Sequence, residues 1–288
     1  MMIASPLRSV SLAALICGGL VGLSPFLVAQ EERPPEERPR WEVGLVGGGV
    51  VLPHYPGSDE VYAVPIGLPY FIYRGKYLES NNGGLKGVLY RSERVDLKLS
   101  LSGHPPVGND NDAREGMESL DPVLEIGPSL DVYAHRNSES ALYAKLSLRN
   151  GFGLDFDDPG FDSVGATGTL EARYQKYRLG KEGLRWGMRA GVEFSSAEFN
   201  SYFYAVSEEE ATEVREGFES DAGYAGCFLS QGIFYDVNSK FAVGMFGNWR
   251  NLTGAAFEDS YLVRRENSFS FGLMMVVELG RSKHLVGE

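Results

Sequence analysis

The chain has 288 residues, of which 43% are hydrophobic, and its formal net charge is -12 at pH 7. The hydrophobic content excludes a disordered chain, and the acidic balance excludes a nucleic-acid partner, because phosphate binding needs a basic surface. The 36 glycines and 15 tyrosines favour an all-β protein that is rich in turns and aromatic rings.

The first residues have the pattern of an export signal. Arg8 precedes the apolar run SLAALICGGLVGLSPFLVA, which ends at Ala29. Residues 1–29 are therefore predicted to be a cleaved secretory signal peptide, and an uncleaved membrane anchor is the alternative. Residues 30–40 are charged and rich in proline, which predicts an exposed, extended tether. Without the signal peptide, Cys227 is the only cysteine, so no intramolecular disulfide is expected.

From residue 41 onward the hydrophobic period is two. In GLRWGMRAGVEF, residues 183–194, apolar side chains alternate with Arg185, Arg189, Glu193 and two glycines. Successive side chains of a strand point to opposite faces, so this segment has one apolar face and one charged face notched by glycine. Similar segments recur along the chain, separated alternately by short turns and by long polar loops at 104–121, 153–163, 197–222 and 253–266.

These segments predict an all-β, transmembrane, antiparallel up-and-down β-barrel over residues 41–280, followed by a short tail at 281–288. A secreted soluble β protein also alternates and is the competing interpretation. The pattern yields eleven strands, whereas a bacterial barrel has an even number. A further strand is expected within 197–222 or 74–94, so that twelve strands are favoured and ten are the alternative.

Two features favour a membrane-embedded barrel over a secreted soluble β protein. Aromatic residues cluster near strand ends, which is typical of interfacial girdles. They are Tyr70, Phe71, Tyr73, Tyr174, Tyr177, Tyr202, Phe203, Tyr204, Phe269 and Phe271. Charged residues lie in the middle of the strands, where they would face a wet lumen. The predicted lumen-lining residues are Lys145, Arg149, Glu171, Arg173, Arg185, Arg189 and Glu193.

The N-terminal WEVGLVGGGVVLPHYPGSDE and the following LPYFIYRG resemble the opening of the MipA/OmpV family of outer-membrane proteins. Other blocks of that family are similar to segments 102–130, 201–206, 221–230 and 251–273. The resemblance implies a location in the cell outer membrane. For some family members it implies a structural role that brings a murein lytic transglycosylase near a synthase. The chain departs from typical barrels at its end, MMVVELGRSKHLVGE, which lacks a terminal aromatic residue.

Enzymatic and metal-binding sites have weaker support. Ser102 beside His104 is the nearest approach to a nucleophile and base, but a third orienting group is needed. The acidic loops GNDNDAREGMESLD (108–121) and LDFDDPGFD (154–162) lack the spacing of a calcium loop and are interpreted as solvated turns. Residues 207–221 are interpreted as a mobile acidic loop, with a lid or an adhesive surface as the functional alternative.

The expected function is that of a non-enzymatic outer-membrane scaffold for peptidoglycan-remodelling enzymes. A narrow porin-like channel for small solutes is the alternative, and an outer-membrane hydrolase is a distant third. No cofactor and no metal are predicted. The expected partners are outer-membrane lipid and lipopolysaccharide, and a periplasmic murein hydrolase or synthase.

Overall fold

The computed structural model describes residues 38 to 286 except 76–77, 82–83, 109–110, 156–159 and 181–182. The predicted signal peptide and most of the predicted tether therefore lie outside the described residues. No helix within these ranges is both long enough and apolar enough to cross a membrane.

Twelve strand segments form one antiparallel sheet in chain order. They are β1 (Trp41–Pro53), β2 (Val61–Arg74), β3 (Leu78–Asn81), β4 (Gly84–Arg91), β5 (Val95–His104), β6 (Val123–Arg136), β7 (Ser140–Asp155), β8 (Gly160–Lys176), β9 (Leu184–Ser195), β10 (Gly223–Asp236), β11 (Phe241–Asn251) and β12 (Asn267–Arg281). A single α-helix of the described residues, α1 (Ala197–Tyr204), lies between β9 and β10.

Each strand pairs with its neighbours in sequence, and β1 pairs with both β2 and β12, so the sheet closes on itself. Eleven of the described strands have eight residues or more, whereas β3 has four. With eleven strands of eight residues or more, the sheet does not have the expected twelve full strands. The short segment β3 lies in 74–94, one of the two regions in which a further strand was expected. The expectation for the other region was wrong, because 197–222 contains α1 and loops instead.

The up-and-down order gives the barrel two different ends. The turn end carries the short connections that follow β2, β4, β6, β8 and β10, together with both ends of the described chain. Here Pro39 bridges Leu285, and the backbone N–H of Arg40 donates to the carbonyl of His284 at 2.9 Å. The last residues of the predicted tether are thus paired with the predicted tail.

The exterior of the barrel is apolar, as the alternation predicts. Leu45, Leu146, Leu170 and Leu273 are all between 43% and 65% exposed. The interior differs from the predicted polar lumen, because β1, β2 and β10–β12 direct apolar side chains inward. This interior cluster consists of Val46, Val50, Tyr70, Ile72, Phe234, Ala242, Phe246, Met274 and Val276.

Inward glycines make room for this cluster. Gly44 pairs directly with Tyr70, and a Cβ at Gly44 would lie 2.6 Å from the Tyr70 ring. Phe246 lies against its cross-strand partner Gly272 in the same way. On β9, the ring of Phe228 lies over Gly191, where a Cβ would be 2.9 Å away. Gly191, one of the two glycine notches of the charged face, is therefore a seat for an aromatic ring of the next strand.

The aromatic girdle prediction is correct for only part of its residues. Phe71 and Phe269 are exposed on the outer face. Tyr70 points inward and is buried, because strand alternation puts it on the opposite face from Phe71. Tyr177, one residue beyond β8, is also buried and packs with Ala141 and Tyr143. The segment Tyr202 to Tyr204 is not on a strand at all, since it belongs to α1.

The long loops at the other end fold into a compact cap. The cap has its own hydrophobic core, in which α1 packs against the loops that follow β1, β5 and β11; the buried members are Tyr55, Val107, Ala113, Met117, Val123, Val164, Phe199, Phe203, Tyr204, Val206, Leu252, Ala255, Phe257 and Leu262. Tyr204 stacks on Phe257 with ring centroids 3.8 Å apart. The loops are therefore an ordered structural layer over the barrel mouth.

Replacing Gly272 by alanine should destabilise the barrel by about 1–3 kcal/mol, because the new methyl group would enter the volume of the Phe246 ring. Urea unfolding of the refolded protein in detergent micelles would measure this. Gly67→Ala is the matched control, because nothing lies within 4 Å of a Cβ there. An equal effect of both variants would contradict the seating of rings on glycine.

Candidate functional site in the barrel interior and its cap

Strand alternation directs the seven predicted lumen residues into the barrel. The inward charged side chains of β5–β9 form one side of the barrel interior, which we call the charged wall. Between this wall and the cap lies a cavity of about 290 Å³. Six of the predicted residues line it: Lys145, Arg149, Glu171, Arg173, Arg189 and Glu193. Arg185 lies elsewhere, beside a second cavity of about 30 Å³ at the turn end. The sequence predicted the inward direction of these side chains but not their division between two sites.

Glu171 is the centre of the charged wall. Its carboxylate is buried and lies 2.6 Å from Arg173 Nη2 and 3.6 Å from Arg189 Nη1. Arg189 also donates to the Ser230 hydroxyl at 3.3 Å and lies over the Phe228 ring. One carboxylate thus holds two guanidinium groups from two strands, which fixes the wall of the cavity.

A second ion pair closes the wall near the cap. Arg250 on β11 donates to both carboxylate oxygens of Glu193 on β9, across β10. Sequence analysis missed Arg250, although its position in the alternation of FAVGMFGNWRN indicates an inward side chain. The period of two was enough to predict that Arg250 points inward, but nothing in the sequence identified Glu193 as the partner of Arg250.

His104 has a different partner from the one considered in the sequence. Its Nε2 lies 2.9 Å from Glu125 Oε1, and the hydroxyl of Thr167 donates to the other oxygen of Glu125. The imidazole also packs against Phe199 and Phe203 of α1. Within the part of the chain that the structure describes, no hydrogen bond joins His104 to Ser102. The histidine therefore ties the cap to the wall.

Arg149 is held differently from the other cations of the cavity. Its Nε donates to the Ser100 hydroxyl at 3.0 Å. It forms no ion pair with a carboxylate among the described residues. Glu125 attracts Arg149 electrostatically, but both oxygens of Glu125 are bonded to His104 and Thr167.

The turn end of the lumen is filled by further ion pairs. Arg185 donates to Asp236 at 2.7 Å, and Arg74 lies 2.6 Å from Glu42. On the opposite wall, buried Asp96 is surrounded by Arg91, Lys98 and Arg136 at 3.5, 3.2 and 3.0 Å. These pairs, with the apolar cluster beside them, occupy the lumen below the cavity.

Two buried arginines organise the cap. Arg215 donates to the backbone carbonyls of Ala113, Glu115 and Glu210, and Arg114 donates to those of Phe203 and Glu118. Arg215 anchors the segment 207–221, interpreted from the sequence as a mobile loop, to the loop before β6. Carbonyl acceptors of three segments converge on these side chains, which a linear sequence does not reveal.

The acidic loops hold no metal centre in the parts that the structure describes. No group of three His, Cys, Asp or Glu side chains there is arranged to hold a metal ion. Asp112 instead begins a short 3-10 turn whose N-cap is Asn111, and its backbone N–H donates to Glu60 at 2.7 Å. Asp110, Asp157 and Asp158 lie outside the described residues.

Charge is segregated between the two ends of the molecule. Among the described residues at the turn end, exposed cationic side chains outnumber the exposed carboxylates Glu93 and Glu139; they are Arg40, Arg91, Arg94, Arg178, Lys240, Arg281 and Lys283. The cap is acidic, because its described and exposed Asp and Glu residues outnumber its exposed Arg264 and Arg265; they are Asp59, Asp112, Glu115, Glu118, Asp121, Glu198, Glu208, Glu209, Glu213, Glu216, Glu219, Asp221, Asp259 and Glu266.

Replacing Glu171 by glutamine should destabilise the barrel by about 3–5 kcal/mol, because it leaves Arg173 and Arg189 facing each other without a buried counter-charge. Thermal unfolding followed by heat-modifiable gel mobility would detect it. Glu139→Gln is the control, since Glu139 pairs with Lys176 at the surface and is 74% exposed in its side chain. A stability of the Glu171→Gln barrel equal to that of the control would refute the counter-charge role.

The cap should loosen at high pH. Burial raises the pKa of Tyr55 and Tyr204, and raises that of Tyr202 to about 12. A phenol with a raised pKa stabilises the folded cap below its unfolded pKa of about 10, and this contribution is lost as the pH rises through the folded pKa. Phenolate absorbance should therefore show a late group of tyrosines whose ionisation coincides with proteolysis of the cap. Titration of every tyrosine near pH 10 in an intact cap would contradict this.

Comparison with known proteins places the chain in a family. The model of the family described as MltA-interacting protein MipA matches residues 45–277. None of the curated proteins compared with the chain matches it.

Among solved structures, the chain is similar to three outer-membrane proteins at low TM-scores. A bacterial polysaccharide outer membrane secretin is 11% identical over 83% of this chain and 99% of its own, with a TM-score of 0.39. An outer membrane channel from Pseudomonas putida is 16% identical over 85% and 98%, with a TM-score of 0.40. A FadL homologue from Pseudomonas aeruginosa is 8% identical over 91% and 98%, with a TM-score of 0.32. The family match, which covers nearly the whole described sheet, shows that the chain belongs to the family described as MltA-interacting protein MipA.

Proposed function

We propose that this protein is an outer-membrane scaffold whose basic turn end binds an acidic surface of a periplasmic murein enzyme. The observation that carries the proposal is the segregation of charge among the described residues, which concentrates exposed arginine and lysine around the turns and the two ends of the described range 38–286. A cationic patch on an acidic protein is a docking surface for a partner of opposite charge.

The orientation follows from the lengths of the connections. Outer-membrane barrels have short turns on the periplasmic side and long loops on the outer side. The turn end of this chain would then face the periplasm, where murein enzymes act. The apolar exterior of the strands supports a membrane around the barrel, because such a large exposed apolar surface is unfavourable in water.

The filled interior supports a scaffold rather than the alternative of a diffusion channel. Below the cavity, Arg185, Asp96 and the apolar cluster around Phe234 occupy the lumen. Above it, the cap packs on the barrel mouth through its own core. A solute would have to displace both layers to cross.

The family description supplies the class of partner. It names an interaction with MltA, and the proposal transfers that interaction to this chain. The proposed binding surface is the turn end, where the exposed cationic side chains lie and where Pro39 pairs with Leu285.

Site-specific crosslinking would test the docking face. In a Cys227→Ser background, a cysteine introduced at exposed Ser239 in the turn between β10 and β11 would carry a photo-crosslinker. We expect it to capture a purified MltA-type transglycosylase, while the same label at Asp259 in the cap does not. Capture from Asp259 alone would overturn the assignment of the face.

Charge reversal tests the electrostatic argument. Arg94→Glu combined with Lys283→Glu should weaken binding and reduce its dependence on salt, because exposed charges act mainly through screened attraction. Arg265→Glu in the cap is the matched control and should leave binding unchanged. Binding that tolerates reversal at the turn end would refute the basic docking surface.

Conductance measurements in planar bilayers distinguish a scaffold from a diffusion channel. The refolded wild-type barrel should show no steady single-channel conductance, because its lumen is filled. Steady conductance whose ion selectivity changes with Arg189→Gln would instead establish the narrow channel and make Arg189 part of its pore.

A further inference from the structure

We infer that the 290 Å³ cavity beneath the cap is a binding site for a small organic anion, with Arg149 as the residue that receives its carboxylate. This inference is independent of the docking face at the turn end.

The cavity carries an excess of positive charge. Its wall contains five cationic side chains, those of Lys145, Arg149, Arg173, Arg189 and Arg250, and three carboxylates, those of Glu125, Glu171 and Glu193, so that five minus three leaves a formal charge of +2. This excess lies inside a chain whose own net charge is -12. The cavity therefore favours an anion although the protein as a whole repels one.

The three carboxylates are already engaged. Glu171 pairs with Arg173 and Arg189, and Glu193 with Arg250. Glu125 accepts from Thr167 and is bonded to His104. These partners leave the Arg149 guanidinium with the Ser100 hydroxyl at 3.0 Å and without a carboxylate of the described residues.

Arginine suits this role because its planar guanidinium can donate two parallel hydrogen bonds to one carboxylate. The Arg149 Nε donates to the Ser100 hydroxyl, which fixes the plane of the guanidinium group. The two terminal nitrogens then remain as donors for a ligand. A neighbouring hydroxyl that holds the arginine reduces the conformational freedom lost on binding.

The cap supplies the apolar side of the site. Phe199 and Phe203 of α1 line the cavity, as do Tyr55 and Phe246. A volume of 290 Å³ corresponds to roughly ten water molecules. The site thus matches a compact ligand that has one carboxylate and an apolar body of about one ring.

Benzoate is the probe, and neutral benzamide is its matched isostere. Isothermal titration of the refolded, detergent-solubilised mature chain should detect benzoate at an affinity roughly tenfold or more above that of benzamide, since a charge-assisted bond is lost in the amide. Equal affinities, or no heat with either compound, would overturn the proposal with no variant required.

Arg149→Gln should lower benzoate affinity by roughly tenfold and leave the weak benzamide affinity unchanged. Arg265→Gln on the surface of the cap is the control, and heat-modifiable mobility reports whether each variant folds. Wild-type benzoate affinity in a folded Arg149→Gln barrel would refute the role of Arg149. Loss of benzoate binding with retained transglycosylase crosslinking would separate this site from the docking face.

Discussion

The volume enclosed by the closed antiparallel sheet is the constraint on which the rest of the structure depends. Every second side chain of each strand enters that volume, so the chain has to accommodate the inward side chains of all the strands together. The chain does this in two ways. On β1, β2 and β10–β12, aromatic rings lie over cross-strand glycines, and on β5–β9 carboxylates are shared between guanidinium groups. The unfilled remainder is the cavity below the cap.

The cap and the charged wall form one connected structure. His104 at the end of β5 bonds to Glu125 of the wall and packs against α1, so the loops are attached to the barrel by both a polar contact and an apolar one. Arg114 and Arg215 then hold the loops to each other through backbone carbonyls. Because backbone carbonyls deep in a loop layer need hydrogen-bond donors, these two arginines stabilise connections that would otherwise remain solvated.

The two ends of the barrel differ in the sign of their exposed charge. Acidic side chains are concentrated on the cap, and exposed arginine and lysine surround the short turns. The strands between them present leucine, methionine and phenylalanine to their surroundings. A partner that is attracted by positive charge would therefore bind at the turn end. The anion cavity lies at the other end of the barrel, beneath the cap.

The sequence by itself determined the all-β fold, the apolar exterior and the inward direction of the seven charged residues, because the period of two is a local property of a strand. The family resemblance was also readable from linear segments and is confirmed by the family match. Only the tertiary structure decided which charges pair, that α1 replaces a strand after β9, and that the Tyr70 ring lies over Gly44. These outcomes depend on register between strands and on contacts between loops far apart in the chain, and neither leaves a periodic signal in the sequence.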